Sequence, residues 1–392
     1  MKFLPYFLLL FVALVIGVAT VVEGRMGSDV AHRSIYGAWW FVALWSAVAV
    51  GGCWQMWHKK LWRQPSVFLL HISFVVILLG ALVTHLTSQR GLIHLREGEV
   101  TRHYLQRSDD GSVLNMNPMP FYLALDSFRV EYDEDGMTCS DYVSYVLLSD
   151  QDKKQHTTIS MNHIGRSHGY RIYQTSYDED GRGSVFTVNY DPWGTGITYA
   201  GYLLLAIGMM WNGTRKRNDS MVTNEDKIGN EYGTPKTIKK SRSFISALFW
   251  LIGVLLASYM VISIAFRPLM PILRSPLLFI HVGTIMVSYI LLVVSFLKRN
   301  LLRVAVFFLA AGIFLGAMWA NVSWGTYWSW DPKESWAIIT LIVYSLPLHE
   351  KSLPWFRSTR NYRIYCTLCI LCLLMTYFGV NYLLGGMHSY AN

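Results

Sequence analysis

Long apolar stretches recur along the chain, and polar segments of very different lengths separate them. Nine such stretches begin near Leu4, Tyr36, Ser66, Gly196, Ser243, Leu277, Val304, Trp336 and Tyr362. About 20 apolar residues cross the hydrocarbon core of a bilayer as a helix. The pattern therefore predicts a polytopic α-helical membrane protein with about nine transmembrane helices, the eighth of them the least apolar.

The longest polar segment lies between the third and fourth apolar stretches and has a β-strand pattern. Its runs rich in aromatic and β-branched residues are Phe121–Leu125, Tyr142–Leu148, Tyr170–Tyr173 and Val185–Tyr190, and the turn signals Asp135-Gly136 and Asp180-Gly181 lie between such runs. Short strands bounded by Asp-Gly turns indicate antiparallel hairpins. Residues 88–195 are therefore predicted to form one small β-rich domain.

The spacing of the apolar stretches divides the chain into three parts. Residues 1–212 contain three spans, the β-rich domain and a fourth span, whereas residues 213–242 are polar and basic and indicate a linker. Residues 243–392 form a predicted five-span bundle with short connections.

Basic residues follow every even-numbered apolar stretch, within residues 58–63, 215–242, 298–303 and 351–363. Loops rich in Lys and Arg stay in the cytoplasm, so this alternation predicts a protein of the cytoplasmic (inner) membrane with its N-terminus inside and its C-terminus outside. The β-rich domain is then extracytoplasmic. We expect the first stretch to be a retained anchor, with a cleaved signal peptide as the alternative.

Composition supports this assignment and excludes one class of partner. Of 392 residues 53% are hydrophobic, and the formal net charge is +9. Residues 88–195 carry −6, so the rest of the chain carries +15, concentrated in the predicted inner loops. Membrane orientation explains this positive charge, and no nucleic acid partner is expected.

The densest aromatic cluster lies between the seventh and eighth stretches, in residues 319–336, here called the Trp-rich segment. Its candidate ligand-binding residues are Trp319, Trp324, Tyr327, Trp328, Trp330, Asp331 and Trp336. Trp and Tyr also form belts at membrane interfaces, but a belt scatters them over the ends of several spans. Five Trp and one Tyr in one short segment favour a binding surface for a large flat ligand. For Asp331, helix or turn capping explains the residue as well as a role in ligand binding does.

Four histidines fall near span ends at two predicted depths. His281 and His388 are predicted near the outer face, His71 and His349 near the inner face, and His85 is a spare outer candidate. Taken singly, each of these histidines is explained equally well as a ligand and as a buried or interfacial residue. Ionisable residues within spans are costly, however, and two neutral imidazoles can supply both axial ligands of a haem iron. Two pairs at two depths favour transport of one ligand from an inner to an outer site.

These residues resemble a known family, the system II cytochrome c synthases of the Ccs or Res type. The run from Trp324 to Trp336 is similar to the tryptophan-rich WWD signature of the CcsA-like subunit, with Ser335 where Thr is common. His281, His349 and His388 match that subunit's histidines. The segment 169–178, Asp191-Pro192 and His71 resemble the partner, ResB-like subunit. The resemblance implies a natural fusion of both subunits.

The family implies a cytochrome c synthase, a lyase that exports haem b and attaches it to Cys-x-x-Cys-His motifs of apocytochromes c outside the membrane. It implies inner iron ligands His71 and His349, outer ligands His281 and His388, and Trp-rich residues bordering the haem. Haem, apocytochrome c and the lipid bilayer are the expected partners, with thiol-reducing proteins as further candidates. The alternatives are a haem exporter or chaperone without ligation activity, and an unrelated quinone-handling or assembly protein with an interfacial Trp belt.

Overall fold

A computed structural model describes residues 3–107, 114–133, 139–150, 153–214 and 275–384. Four predictions lie wholly or mostly outside these residues: His388, the basic linker, the apolar stretch near Ser243 and the turn at Asp135-Gly136.

Helices form at the other eight predicted apolar stretches. They are α1 (Leu4–Met26), α3 (Trp39–His58), α4 (Pro65–Thr87), α5 (Gly194–Thr214), α6 (Pro276–Ser295), α7 (Leu302–Ser323), α8 (Pro332–Ser345) and α9 (Thr359–Leu374), with a short α2 (Ser28–Ala31) before α3. Wide π-helical turns cover His32–Tyr36 and Met375–Leu384, and 3₁₀ turns cover Leu61–Arg63, Arg299–Leu301, Leu346–His349 and Pro354–Arg357.

Five helices of the described part are long and apolar enough to cross a membrane, and a bent pair formed by Ser28–Tyr36 and Trp39–His58 is a sixth candidate. A multi-pass membrane protein is thereby supported. Helix α8 has 14 residues, about 21 Å, which is shorter than a hydrocarbon core of about 30 Å. Helix α5 is also not among the candidates, so the count of nine spans stays a prediction.

The predicted β-rich domain is present as one eight-stranded antiparallel sheet between α4 and α5. Its strands are β1 (Gln89–Arg96), β2 (Val100–Arg107), β3 (Leu114–Tyr132), β4 (Cys139–Ser149), β5 (Lys154–Ile159), β6 (Gly165–Ser167), β7 (Tyr170–Tyr177) and β8 (Gly183–Tyr190), in the order β5-β4-β3-β2-β1-β8-β7-β6. The sheet curls around a core that includes Leu123, Leu125 and Phe186, all at 0% exposure. Its two edge strands approach where Gly165 faces Ile159. This β-domain contains all four predicted strand runs.

The β-domain is fixed to one end of the helix pair α4–α5. The two helices approach closely because glycines lie between them: a Cβ on Gly80 or on Gly201 would overlap Thr198 or Ile77. Asp191 caps α5 by accepting hydrogen bonds from the backbone N–H of Gly194 at 2.9 Å. The same carboxylate accepts a bond from Thr84 on α4, so the cap also ties both helices to the sheet.

The two halves of the chain share one membrane core. Val12 and Ile16 of α1 pack with Ile339 and Ile342 of α8, and all four are buried. Helix α9 packs beside α8, and the α6–α7 pair packs in turn against α9. Residues that face each other in this bundle therefore come from distant parts of the sequence.

Candidate functional site

The two predicted inner histidines meet in the structure. His71 lies in the second turn of α4, and His349 closes the 3₁₀ turn after α8. Their ring centroids are 5.9 Å apart, with the ring planes at 84°. His71 is about 24 Å along α4 from Thr87, where the chain enters the β-domain. This inner pair therefore lies at the end of the bundle that is remote from the β-domain.

Backbone hydrogen bonds orient both rings of the inner pair. Nδ1 of His71 donates to the carbonyl oxygen of Val67 at 2.8 Å, and Nδ1 of His349 donates to that of Ser345 at 3.1 Å. Because a carbonyl oxygen only accepts, each Nδ1 carries the hydrogen, and in a neutral imidazole Nε2 then carries the lone pair. In metal-ligating histidines, a hydrogen bond at the ring nitrogen that does not bind the metal fixes the tautomer.

The separation of the inner pair is compatible with one iron held between the two rings. Imidazoles that bind a metal ion from opposite sides, at metal–nitrogen distances of about 2 Å, have ring centres about 6 Å apart. The observed centroid distance is 5.9 Å. The separation of the two rings therefore matches that of two imidazoles bound to one metal ion.

Polar residues of the first and third helices border the inner pair. The ring of Tyr6 packs edge-on against His349 at 5.4 Å between centroids. Lys59 lies 5.8 Å from the centre of the Tyr6 ring, and its ammonium donates to the Tyr6 hydroxyl at 3.4 Å and to Ser352. The sequence pattern had not singled out Tyr6, although it is a polar aromatic residue one turn inside the first span.

His281 lies at the opposite end of the bundle, against a groove in α7. Two glycines one turn apart, Gly312 and Gly316, form this groove, and Nδ1 of His281 donates to the carbonyl oxygen of Gly312 at 2.7 Å. A Cβ on Gly316 would lie 2.6 Å from Cε1 of His281. The G-x-x-x-G spacing was visible in the sequence and marks such close helix approach.

The aromatic residues of the Trp-rich segment separate into two groups. Trp319 and Trp324 meet edge to face at 5.1 Å and pack against Leu278 of α6, one turn from His281. Trp330 stacks on Tyr36 at 5.1 Å, with ring planes 7° apart. The nearly parallel Tyr36–Trp330 pair belongs to the N-terminal part of the bundle, whereas the Trp319–Trp324 pair belongs to the side of His281.

The other predicted members of the segment connect these groups to their surroundings. Trp328 lies edge-on to Trp330 at 5.8 Å, and Trp336 donates from its indole N–H to Thr20 of α1 at 3.1 Å. The hydroxyl of Tyr327 donates to Thr84 of α4 at 2.9 Å. The segment thus contacts α1, α4 and the turn before α3.

Asp331 is the N-cap residue of α8. Its carboxylate accepts a hydrogen bond from the backbone N–H of Lys333 at 2.9 Å, and its side chain is 4% exposed. Glu334 accepts from the backbone N–H of Ser329 at 2.9 Å, and His32 donates to the Ser329 carbonyl at 3.0 Å. The chain before α8 is therefore held in a defined path by capping interactions.

The β-domain holds the start of the Trp-rich segment. Arg171 donates to the side-chain oxygen of Asn321 at 2.9 Å, and the hydroxyl of Tyr173 donates to the Asn321 carbonyl at 3.1 Å. Asn189 donates to the carbonyl of Gly325. Burial raises the pKa of Tyr173 to about 12, so its phenol keeps the donated proton at physiological pH. The motif at 169–178 had been noted in the sequence without its contact partner.

Of the predicted histidines, the structure places His281 near the Trp-rich segment and brings His71 and His349 together. His388 lies outside the described residues, and the side chain of His85 is exposed near the end of α4 that leads into the β-domain. The described part of the chain contains no group of three or more His, Cys, Asp and Glu residues arranged to hold a metal ion.

Comparison with known proteins assigns the two halves separately. Residues 58–198 match the ResB-like family, and residues 295–388 match the family described as cytochrome c assembly protein. His71 falls in the first match, and His349 falls in the second. The inner pair thus joins one residue from each matched region.

Individual relatives match different shares of the chain. Protein NrfI of Wolinella succinogenes is 27% identical over 303 residues, covering 52% of this chain and 34% of NrfI. Cytochrome c biogenesis protein CcsA of Lactuca sativa is 49% identical over 85 residues, which are 22% of this chain and 26% of that protein. The CcsA of Oenothera argillicola is 44% identical over 95 residues, 24% of this chain and 30% of that protein. The chain thus spans about a third or less of the length of these relatives.

Proposed function

We propose that this chain, which joins a ResB-like region and a cytochrome c assembly region in one polypeptide, carries haem b across the cytoplasmic membrane and attaches it to apocytochromes c. The observation that carries the proposal is the inner pair. Two histidines from separately matched regions are 5.9 Å apart, and each has its Nδ1 bonded to a backbone carbonyl. Such a pair suits a six-coordinate haem iron.

The proposed orientation places the inner pair on the cytoplasmic side and the β-domain outside. The loops near the inner pair carry Lys59, Lys60, Arg63, Lys351 and Arg357, whereas residues 88–195 carry a net charge of −6. This asymmetry follows the positive-inside rule. With nine spans, the N-terminus is inside and the C-terminus is outside.

The second station of the haem is the outer end of the bundle. His281 lies one helical turn from Leu278 of α6, against which Trp319 and Trp324 pack, so this end of the bundle has flat aromatic surface. His388 is proposed as the second outer ligand, on the basis of its motif alone. Transfer from one histidine pair to another keeps the iron six-coordinate and limits its reaction with oxidants.

The proposed chemistry is the addition of two thiols to two vinyl groups. In each addition the cysteine sulfur bonds to one vinyl carbon and a hydrogen adds to the other, so the carbon–carbon double bond becomes single and no external oxidant is needed. The chain's part is to hold the haem next to the Cys-x-x-Cys-His thiols, which raises their effective concentration. The histidine of the apocytochrome then replaces one outer ligand.

A haem exporter without ligation activity is the second candidate, because the inner pair serves export equally well. The two candidates differ in their product. An exporter releases unattached haem, whereas a synthase yields a cytochrome with thioether bonds. The first prediction therefore combines a spectrum of the protein with an assay of the product.

The test uses the full chain, purified in detergent from a haem-replete host, and a co-expressed apocytochrome with one Cys-x-x-Cys-His motif. We expect a six-coordinate haem spectrum in the parent protein. His71→Ala and His349→Ala should each abolish the inner haem and lower the yield of covalently attached haem at least about tenfold. His281→Ala should abolish attachment while the inner pair retains haem.

His156→Ala is the matched control, because His156 is a histidine of the β-domain with 75% of its side chain exposed. It should leave spectrum and product unchanged. A parent protein without haem would contradict the proposed function. Bound haem without any thioether product would favour the exporter.

A further inference from the structure

Among the described residues, hydrogen-bond donors converge beside the inner pair without an acidic partner. Lys59 donates to the hydroxyl oxygens of Tyr6 and Ser352, and Gln55 donates to the Tyr6 hydroxyl at 3.5 Å. The phenol oxygen of Tyr6 therefore accepts twice, and its own hydrogen points elsewhere. An ammonium group has three hydrogens, so one on Lys59 is also available.

The acidic residue of the loops at this end does not neutralise Lys59. Glu350 is the only Asp or Glu in residues 58–64, 296–301 and 346–358, which connect the described helices at this end. Its carboxylate is paired with Arg299 at 2.7 Å. In the described part of the chain, Lys59 thus bonds only neutral hydroxyl groups, and the cluster has a positive charge and two donor hydrogens for an incoming anion.

The cluster is continuous with the inner pair. Tyr6 contacts His349 at 5.4 Å between ring centroids, and Lys59 lies 5.8 Å from the Tyr6 ring centre. His349 in turn contacts His71. Two contacts therefore connect the ammonium to the imidazole of His349, and a third connects it to that of His71, on the side of the pair where the basic loops lie.

We propose that Lys59 and Tyr6 form a carboxylate-binding element that takes a propionate of the haem ligated by His71 and His349. This inference rests on the proposed function and adds the residues that orient the substrate. Haem carries two carboxylates on one edge of an otherwise apolar ring. A charge-assisted bond to Lys59 holds that edge at the membrane surface, and the vinyl-bearing part of the ring stays in the apolar interior.

A lipid phosphate is the other anion of suitable chemistry at this depth. Lysines at span ends also reach toward headgroups, where they bind phosphate as a point charge. Haem and its dimethyl ester distinguish the two sources. Both carry the same iron and ring, but esterification removes the negative charge of both propionates.

The experiment titrates haem and haem dimethyl ester into the detergent-purified full chain, stripped of haem, in a His281→Ala background that leaves the inner pair intact. We expect the parent to bind haem about tenfold more tightly than the ester. Lys59→Gln should weaken haem binding about tenfold and leave binding of the ester unchanged. Lys59→Arg should restore most of the difference.

Lys60→Gln is the matched control, because it removes the same charge from the adjacent position and should change neither affinity. Tyr6→Phe keeps the ring against His349 but removes the phenol donor. It should weaken haem binding less than Lys59→Gln does and leave binding of the ester unchanged. Equal losses for haem and ester in Lys59→Gln would mean a structural role and overturn the inference. Unchanged haem affinity would assign Lys59 to lipid and also overturn it. If even the parent binds no haem, the proposed function fails first and this inference fails with it.

Discussion

The two ends of the bundle, which we propose to be the inner and the outer end, position their histidines by different means. At the inner end, His71 and His349 lie on helical segments and contact each other directly. At the outer end, His281 lies against the Gly312–Gly316 groove, and the adjacent Trp-rich segment follows an irregular path that the β-domain holds through Asn321. The first end depends on contacts within the bundle, and the second also depends on a contact with the β-domain.

This difference suits the proposed tasks of the two ends. A haem that enters from one side and leaves toward the other needs a stable resting place, which rigid helices provide. Attachment to an apocytochrome needs a surface that adjusts to a second protein, and loops held by a scaffold serve such purposes in many proteins. Variants that affect only one end therefore test whether the two ends have separate tasks.

The largest effect should come from filling the groove beside His281. In Gly316→Ala the new Cβ would lie 2.6 Å from Cε1 of His281, so the ring must leave its hydrogen bond to Gly312. We expect loss of the outer haem signal and of covalent attachment, with the inner haem spectrum retained. Absorption spectra and a haem stain of the co-expressed cytochrome measure the two effects.

Gly283→Ala is the matched control for this prediction. Gly283 lies on the same helix as His281, and a Cβ there meets no atom within 4 Å. The control should have normal spectra and normal product. If Gly316→Ala also behaves normally, the position of the His281 ring is not important for the outer site.

A smaller effect should follow from loosening the β-domain. Arg171→Ala removes the charge-assisted bond to Asn321 and a longer one to Thr195. Hydrogen bonds to charged groups contribute about 1.5–3 kcal/mol, so we expect the yield of attached haem to fall by about tenfold. Inner haem binding should not change, because the inner pair is remote from this contact.

Arg129→Ala provides the comparison for Arg171→Ala. Arg129 is an arginine of the same sheet that lies over the ring of Tyr145, away from the Trp-rich segment. A loss of product in both variants would mean that the sheet as a whole was destabilised. A loss of inner haem in Arg171→Ala would contradict the separation of the two ends.

The helices and the sheet were predictable because each has a simple repeating pattern. Apolar length located the helices, and alternation with an Asp-Gly turn located the hairpin of β7 and β8, where Gly181 has a φ of +68°. The length of α8 was less predictable, since the apolar run after Trp336 continues into a 3₁₀ turn. Pro347 in that turn ends the regular helix.

The contacts between distant segments were not predictable from one sequence. Residue type and estimated depth placed His71 and His349 at the same level of the membrane. They did not predict the distance between the two rings. The stacking of Tyr36 on Trp330 and the bonds from Arg171 and Tyr173 to Asn321 depend on how the two halves pack. Local patterns do not contain that information. The role of these residues in haem binding remains a proposal.

The smallest expected effect concerns Asp331, for which the sequence left two explanations. As an N-cap it accepts a bond from Lys333 N–H, and an Asn side chain can do the same. Asp331→Ala should lower the stability of α8 by about 1 kcal/mol, measured by thermal unfolding in detergent, and reduce attached haem only slightly. Asp331→Asn should keep both stability and product closer to the parent than Asp331→Ala does, because an amide oxygen can accept the same capping bond. If Asp331→Asn instead abolishes attachment while the protein remains as stable as the parent, the carboxylate acts on the substrate, and the outer end uses a charged group close to the haem in addition to its imidazoles.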